Sequence, residues 1–276
     1  MMREPRGPEE WAGFLHWVME EAFGPEHFPI NISETAKLFT VRKYPKDPIT
    51  IVRGHDLPGL EGMLIRNEKQ NREWAIFFNQ NNAKRRIRFT LAHEFGHYLL
   101  HRRQYPNGFR CQVPDIPLKD RQLAHLEHEA DTFAAHFLMP IADFSQLIGK
   151  SEFTNLNMIG VAADRYGVSL TAAIRQWLRY TQHRAVLIVS QDGFIQWSEA
   201  SLSAQLAGTH FPNVRRTPVE VPESSLATQR DLTNYPKDGV PMPKGTWFAD
   251  HEVLEMGIHS DQHDIVITLL MLDFET

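Results

Sequence analysis

The sequence predicts an α+β protein in three parts. Residues 1–145 form a domain of a small sheet and two site-bearing helices. Residues 146–182 form a helical, helix-turn-helix-like segment, and residues 183–276 form a small mixed α/β domain. Three observations predict this. Strand-like runs precede two strong helix patterns at 87–100 and 126–139. A glycine-punctuated pair of helix patterns fills 157–181. From His183 onward, strands and turns take over.

The elements follow in order. Trp11, Phe14, Leu15, Val18, Met19 and Phe23 recur at helical spacing, which predicts an amphipathic helix over 8–23. Ser33, ahead of Glu34-Thr35-Ala36-Lys37, has the chemistry of a helix N-cap. Residues 49–52, 62–66 and 73–79 read as strands of one small sheet. Residues 102–122 carry Tyr105-Pro106-Asn107-Gly108 and two further prolines, and read as a loop joining the two site helices.

The most informative stretch is His93-Glu94-Phe95-Gly96-His97, an H-E-x-x-H motif inside a helix pattern. Histidines four residues apart on a helix lie about 40° apart in azimuth and roughly 6 Å apart along the axis. Both imidazoles can therefore hold one zinc ion. Glu94, beside the first histidine, is placed to act as general base on water. The bland alternative is an exposed helix turn with two solvated histidines. The run 87–100 argues against it, because a helix apolar nearly all round is buried. Buried histidine and glutamate need partners, and a metal supplies one. Gly96 costs about 1 kcal/mol relative to alanine in a helix interior. Close approach of another helix or backbone is expected there.

A peptidase site needs a third protein ligand. His101 continues the series, but it lies roughly 12 Å along the axis from His93, too far to share one ion. The helix over 126–139, ended by Pro140, offers Glu127 and Asp131 on one face. Glu127 can bind the metal while Asp131 holds a ligand imidazole from behind. Glu129 is the rival ligand. It lies about 200° round the helix from Glu127, so only one of the two can face the ion. The E-x-x-x-D spacing favours Glu127. His125, His128 and His136 read as solvated or capping residues. Ala130 and Ala134 would let this helix pack tightly on the first.

The run Phe89-Thr90-Leu91-Ala92-His93-Glu94-Phe95-Gly96-His97-Tyr98-Leu99-Leu100-His101, followed by Glu127-His128-Glu129-Ala130-Asp131-Thr132-Phe133-Ala134-Ala135-His136-Phe137-Leu138-Met139-Pro140, resembles the ImmA/IrrE family of zinc metallopeptidases. The likeness is clear over about residues 30–140. It implies a zincin-like domain and a gluzincin-type site. His93, His97 and Glu127 would be the zinc ligands and Glu94 the base, and all four positions match. Family members cleave a helix-turn-helix transcriptional repressor, relieving repression of stress-response or mobile-element genes. The implied partner is therefore a DNA-binding repressor. Zinc peptidases commonly receive the substrate backbone on an edge strand, and Trp74–Asn79 is the expected edge.

Composition fits a globular protein with a proper core: 276 residues, 42% hydrophobic and 23% charged. No apolar run approaches the roughly 18 residues of a membrane span, and the N-terminus lacks the apolar region of a signal peptide. One cysteine, Cys111, allows no internal disulfide, so a cytoplasmic protein is expected. Cys111 itself reads as a reduced bystander in a loop. A net charge of −5 argues against DNA binding by the whole surface. Lys84-Arg85-Arg86-Ile87-Arg88 lacks interleaved aromatics and reads as a solvated helix start.

Residues 157–181 read as helix, turn at Gly167, N-cap at Ser169 and helix. As a DNA reader the second helix would expose Thr171, Arg175 and Arg179. The thin basic surface favours the other reading, a structural hairpin bracing the site. Beyond it, residues 185–190 and 194–197 read as a strand pair about the turn Gln191-Asp192-Gly193. Residues 265–272 are apolar on both faces, so that strand is expected to be central. Residues 211–246 are Pro-rich and polar. The last domain could sense a ligand or dock the substrate. The expected function is a cytoplasmic zinc endopeptidase. The alternatives are a non-catalytic, zinc-organised repressor-binding module and a DNA-binding regulator working through 157–181.

Overall fold

Helix α1 (Pro8–Phe23) opens with proline and carries Glu9 and Glu10 in its first turn, both favourable at a helix start. It buries Trp11, Leu15 and Met19 of the predicted stripe and also Ala12, while Phe14 and Val18 are half-buried and Phe23, at the helix end, is exposed. Helix α2 (Ile32–Lys43) is capped by Asn31, whose side-chain oxygen accepts a bond from the Glu34 amide at 3.2 Å. The expected cap, Ser33, lies inside the helix. Burial of both Ile32 and Ala36 requires the helix to start before it. The fold belongs to a computed structural model and is described for residues 3–67, 72–112, 121–150, 153–212, 214, 217–229, 238–260 and 264–274.

Strands β1 (Ile49–His55), β2 (Leu60–Arg66), β3 (Trp74–Asn79) and β4 (Gly108–Gln112) form one sheet in the order β1-β3-β2-β4. β3 runs parallel to β1 and antiparallel to β2, while β2 and β4 are antiparallel. This corrects the expectation for Trp74–Asn79, which is an interior strand. Its backbone is taken on both sides, and Trp74 and Ile76 are buried. The edges among the described residues are β1 and β4. β4 falls where a loop was expected at 102–122. Gly108 begins it at φ +94°, and a Cβ there would collide with the Leu64 carbonyl oxygen, so the glycine that signals a turn also lets the strand dock.

Helix α3 (Lys84–His101) packs against α4 (Arg121–Leu138). A Cβ at Gly96 would stand 2.9 Å from the Phe133 ring, so the glycine answers a close helix approach. Ala130 and Ala134 are fully buried. Phe95 meets Phe133 and Phe137 edge-on. The basic run at the start of α3 is not simply solvated. Arg86 pairs with Glu61 at 2.9 Å, and Arg88 donates to the carbonyls of Ile30, Tyr166 and Gly167.

Two units result. The first is Met1–Pro140 with Arg165–Ser169, and the second is Ile141–Asp164 with Leu170–Thr276. The segment expected as one piece at 146–182 is thus shared between them. The second unit contains α5 (Ile141–Leu147), most of α6 (Leu156–Tyr166), α7 (Leu170–Leu178) and α8 (Leu202–Leu206). Its sheet joins β5 (Ala185–Gln191), β6 (Phe194–Ala200), β7 (Val240–Met242), β8 (Val253–Ser260) and β9 (Ile265–Met271) in the order β6-β5-β9-β8-β7. β9 is central, as its apolar run predicts. Val186, Ile188, Trp247 and Leu270 build the core on one side of the sheet. The architecture is α+β throughout, and no helix among the described residues is long and apolar enough to cross a membrane.

Helix α7 buries Ala173, Ile174, Trp177 and Leu178, and packs on β5 and β6. Of the three residues considered for DNA, Arg175 pairs with Glu199 on β6 and Arg179 donates to Gln176 at 3.3 Å. Thr171 lies at the start of the same helix.

Glu255 is the fully buried acid of the second unit. It accepts from the Ser225 hydroxyl at 2.6 Å and from the Trp247 indole N–H at 2.8 Å. Burial raises its pKa above the ordinary carboxylate value. The folded state then binds more protons, so this group's contribution to stability falls as pH rises from the unfolded value through the raised folded one. Glu255→Ala leaves two buried donors unpaired and should cost about 2–3 kcal/mol in urea unfolding. Glu255→Gln keeps an acceptor, should retain most of the stability, and should flatten its pH dependence.

Candidate active site

The site forms where α3 crosses α4 beneath β2 and β4. The site residues that α3 contributes, His93, Glu94, His97 and His101, are all buried. The two motif histidines turn their Nε2 atoms toward each other, 3.0 Å apart. Glu127 of α4 brings its carboxylate to both, at 3.0 Å from His93 Nε2 and 3.4 Å from His97 Nε2.

Hydrogen bonds behind the rings fix this orientation. His93 Nδ1 lies 2.9 Å from Asp131 Oδ1. A proton on Nδ1 satisfies that bond and leaves the Nε2 lone pair facing inward. Behind His97 the chain is longer. His97 Nδ1 is 3.0 Å from His101 Nδ1, and His101 Nε2 is 3.1 Å from Glu129 Oε2. One tautomer pattern satisfies both bonds: His97 donates from Nδ1 to His101, and His101 donates from Nε2 to Glu129. His97 then also offers its Nε2 lone pair inward. The Phe109 ring of β4 stacks on His97 at 4.2 Å between centroids and holds the imidazole from one side.

The electrostatics follow from burial and these partners. Burial opposes charge on His93, but Asp131 and Glu127 outweigh it and raise its pKa to about 10. Burial pushes His97 down to about 4. Burial works against ionisation of Glu127 too, yet its bonds to the two histidines hold it well below the usual carboxylate range. Glu94 is pushed up to about 7, chiefly by burial. Among the described residues neither of its carboxylate oxygens meets full hydrogen-bond geometry, and the neighbouring Cys111 thiol is the group that interacts with it. A buried carboxylate is costly, and such groups cluster where chemistry is done.

Gly62 of β2 makes room for that carboxylate. A Cβ there would stand 2.7 Å from Glu94 Oε1 and 2.6 Å from the Thr90 methyl. Opposite Gly62 in the register is Cys111 of β4. Residues directly opposite in antiparallel strands point to the same face, so Cys111 also faces α3. Its thiol lies 3.9 Å from Glu127 Oε1. Far from a loop bystander, Cys111 is a buried member of the site. Loop reading missed it because only the β2–β4 pairing brings it there.

Donor atoms of His93, His97, Cys111 and Glu127 lie within 4.8 Å of one another. Imidazole, carboxylate and thiol together suit a divalent transition metal better than the all-oxygen shells of calcium or magnesium. The demand for positive charge that lifts His93 is one that a divalent cation would meet. Of the residues weighed in sequence, His93, Glu94, His97, Glu127 and Asp131 come together. Glu129 lies outside the donor group and turns to His101. His125 lies 3.7 Å from the same Glu129 carboxylate, and His136 pairs with Glu9. Sequence reading dismissed His101 as a ligand and gave it no other role. Its i+4 spacing from His97 was the available signal.

Residues 55–177 match the IrrE N-terminal-like domain, a peptidase family. Over 76 residues the chain is 34% identical to the Metallopeptidase ImmA of Bacillus subtilis (strain 168). That alignment takes in 28% of this chain and 40% of that protein, so the chain spans well under half the length of that curated relative. Among solved structures, a Mycobacterium tuberculosis transcriptional regulator is similar with a TM-score of 0.50 at 14% identity. That match covers 96% of this chain and 80% of the regulator's, and it is a likeness of fold.

Replacing His101 with phenylalanine keeps the volume and removes the acceptor behind His97. Removing such an outer partner should weaken metal binding about 10–100-fold. Competition against a chromophoric chelator measures this directly. Circular dichroism of the metal-free variant checks that the fold is retained.

Proposed function

We propose that this chain, whose residues 55–177 match the IrrE N-terminal-like peptidase domain, is a zinc-dependent endopeptidase of the ImmA/IrrE family acting on a DNA-binding repressor. The observation that carries the proposal is the meeting of His93 Nε2, His97 Nε2 and Glu127 beside the fully buried carboxylate of Glu94. Three protein ligands of this kind match a catalytic zinc set. A structural metal site has no use for a buried base, so Glu94 favours catalysis over a non-catalytic binding module.

His93, His97 and Glu127 would hold the zinc, whose Lewis acidity would polarise the scissile carbonyl and make the attacking water more acidic. The rest is done by side chains of the chain. Asp131 holds His93 in the tautomer that points Nε2 inward, and His101 with Glu129 does the same for His97. Glu94 takes a proton from the attacking water onto its carboxylate and delivers it to the leaving amine nitrogen. Its raised pKa, about 7, suits a group that must both accept and return a proton near neutral pH. Phe109, stacked on His97, gives the site an apolar wall on one side.

The substrate backbone is assigned to β4. Among the described residues β4 pairs only with β2, so its other edge offers free backbone donors and acceptors. A helix-turn-helix repressor as substrate rests on the likeness to the ImmA/IrrE family. Relief of repression in a stress or mobile-element response would follow from its cleavage, in the cytoplasm where such repressors act. DNA binding through α7 is the weaker reading, because Glu199 already neutralises Arg175.

Glu94→Gln should still bind one zinc ion while cleavage falls about 10²–10⁴-fold, the usual cost of losing a general base. New protein N-termini in cells expressing wild type or this variant give the test. Termini clustered in one DNA-binding protein, seen only with wild type, support the proposal. Identical termini with both proteins refute it.

A further inference from the structure

We propose that Cys111 is a fourth metal ligand, closing the site in its resting state. The inference rests on the metallopeptidase reading and adds a means of latency to it. Three independent placements carry it. The register of β2 on β4 sets Cys111 opposite Gly62, on the face that looks onto α3. The thiol is buried and stands 3.9 Å from Glu127 Oε1. Its sulfur belongs with His93 Nε2, His97 Nε2 and the Glu127 carboxylate to one group of donor atoms, all within 4.8 Å of one another. Two imidazoles, one carboxylate and one thiolate complete a tetrahedral set.

Bound to the ion, Cys111 would serve as a thiolate: the S–H bond breaks, sulfur keeps the electron pair and the proton leaves to solvent. The closed state would be inactive because a catalytic zinc keeps one position open for water, and here sulfur would fill it.

Opening requires Cys111 to leave the ion. Cys111 lies on β4, an edge of the sheet among the described residues, and a strand paired on one side only moves at lower cost than an interior one. The edge proposed to receive the substrate backbone thus also carries the blocking ligand. A substrate segment that pairs with β4 would act on the same strand that holds the sulfur in place. Neighbouring Phe109, stacked on His97, lies on the same strand two residues before it.

The test is cobalt(II) loading of the full chain under a thiol reductant, in wild type and in Cys111→Ser. Cys111 is the only cysteine, so any sulfur-to-cobalt charge-transfer band in the near ultraviolet identifies it. The expected result is one cobalt per chain in both proteins, with the band present in wild type and lost in the variant. Cleavage of the substrate found from new N-termini should rise in Cys111→Ser. One cobalt per chain without the band in wild type overturns the fourth ligand and leaves the three-ligand site standing. A band that survives in Cys111→Ser also overturns it. Failure of wild type to bind cobalt at all overturns the metal site and this inference together. The wild-type spectrum decides the matter even if the variant folds poorly.

Discussion

The approach of α3 to α4 is the constraint on which the site depends. Two imidazole nitrogens and a carboxylate converge only if the helices cross closely at one register. Gly96 sets that distance, because any side chain there would strike Phe133. Ala130 and Ala134 keep the facing side of α4 low. The price of a glycine within a helix is small beside what the crossing positions. It brings Glu127 to both histidines of the motif, Asp131 to the back of His93 and Glu129 to His101. The three acids of α4 therefore serve four different nitrogens of α3.

The sheet completes what the helices begin. β2 lies over Glu94 through Gly62, and β4 lies beside it with Phe109 on His97 and Cys111 near Glu127. The small residue at 62 and the two side chains of β4 are one arrangement, since Gly62 and Cys111 share a register position and Leu64 pairs with Phe109. The Glu94 carboxylate is thereby fully buried, and burial is what chiefly raises its pKa. The second unit has its own core and its own buried acid. Glu255 accepts hydrogen bonds from Ser225 and Trp247, whereas Glu94 among the described residues accepts none of full geometry.

Much of this was legible in the sequence, for physical reasons. Spacing along a helix fixes direction, so His93, Glu94 and His97 could be grouped from residue number alone. The same rule placed Glu127 and Asp131 on one face and separated Glu129 from them. Apolar continuity marked β9 as a central strand. What failed was non-local. Trp74–Asn79 has the composition of a strand, but composition does not say how many neighbours it has, and it is interior. β4 is short and follows turn residues, so it read as loop, and Cys111 was dismissed with it. Asn31 rather than Ser33 caps α2 because tertiary burial of Ile32 sets where that helix begins. His101 was judged as a possible ligand and not as a support for one. Each miss concerns a contact made across the chain.

The central claim is that His93 and His97 together form a metal site that Glu127 completes. Zinc titration of the chelator-stripped full chain beside the double variant His93→Ala, His97→Ala tests it most directly. One zinc ion per wild-type chain and none in the variant is the predicted result. Equal binding by both proteins, or no binding by wild type, would contradict it.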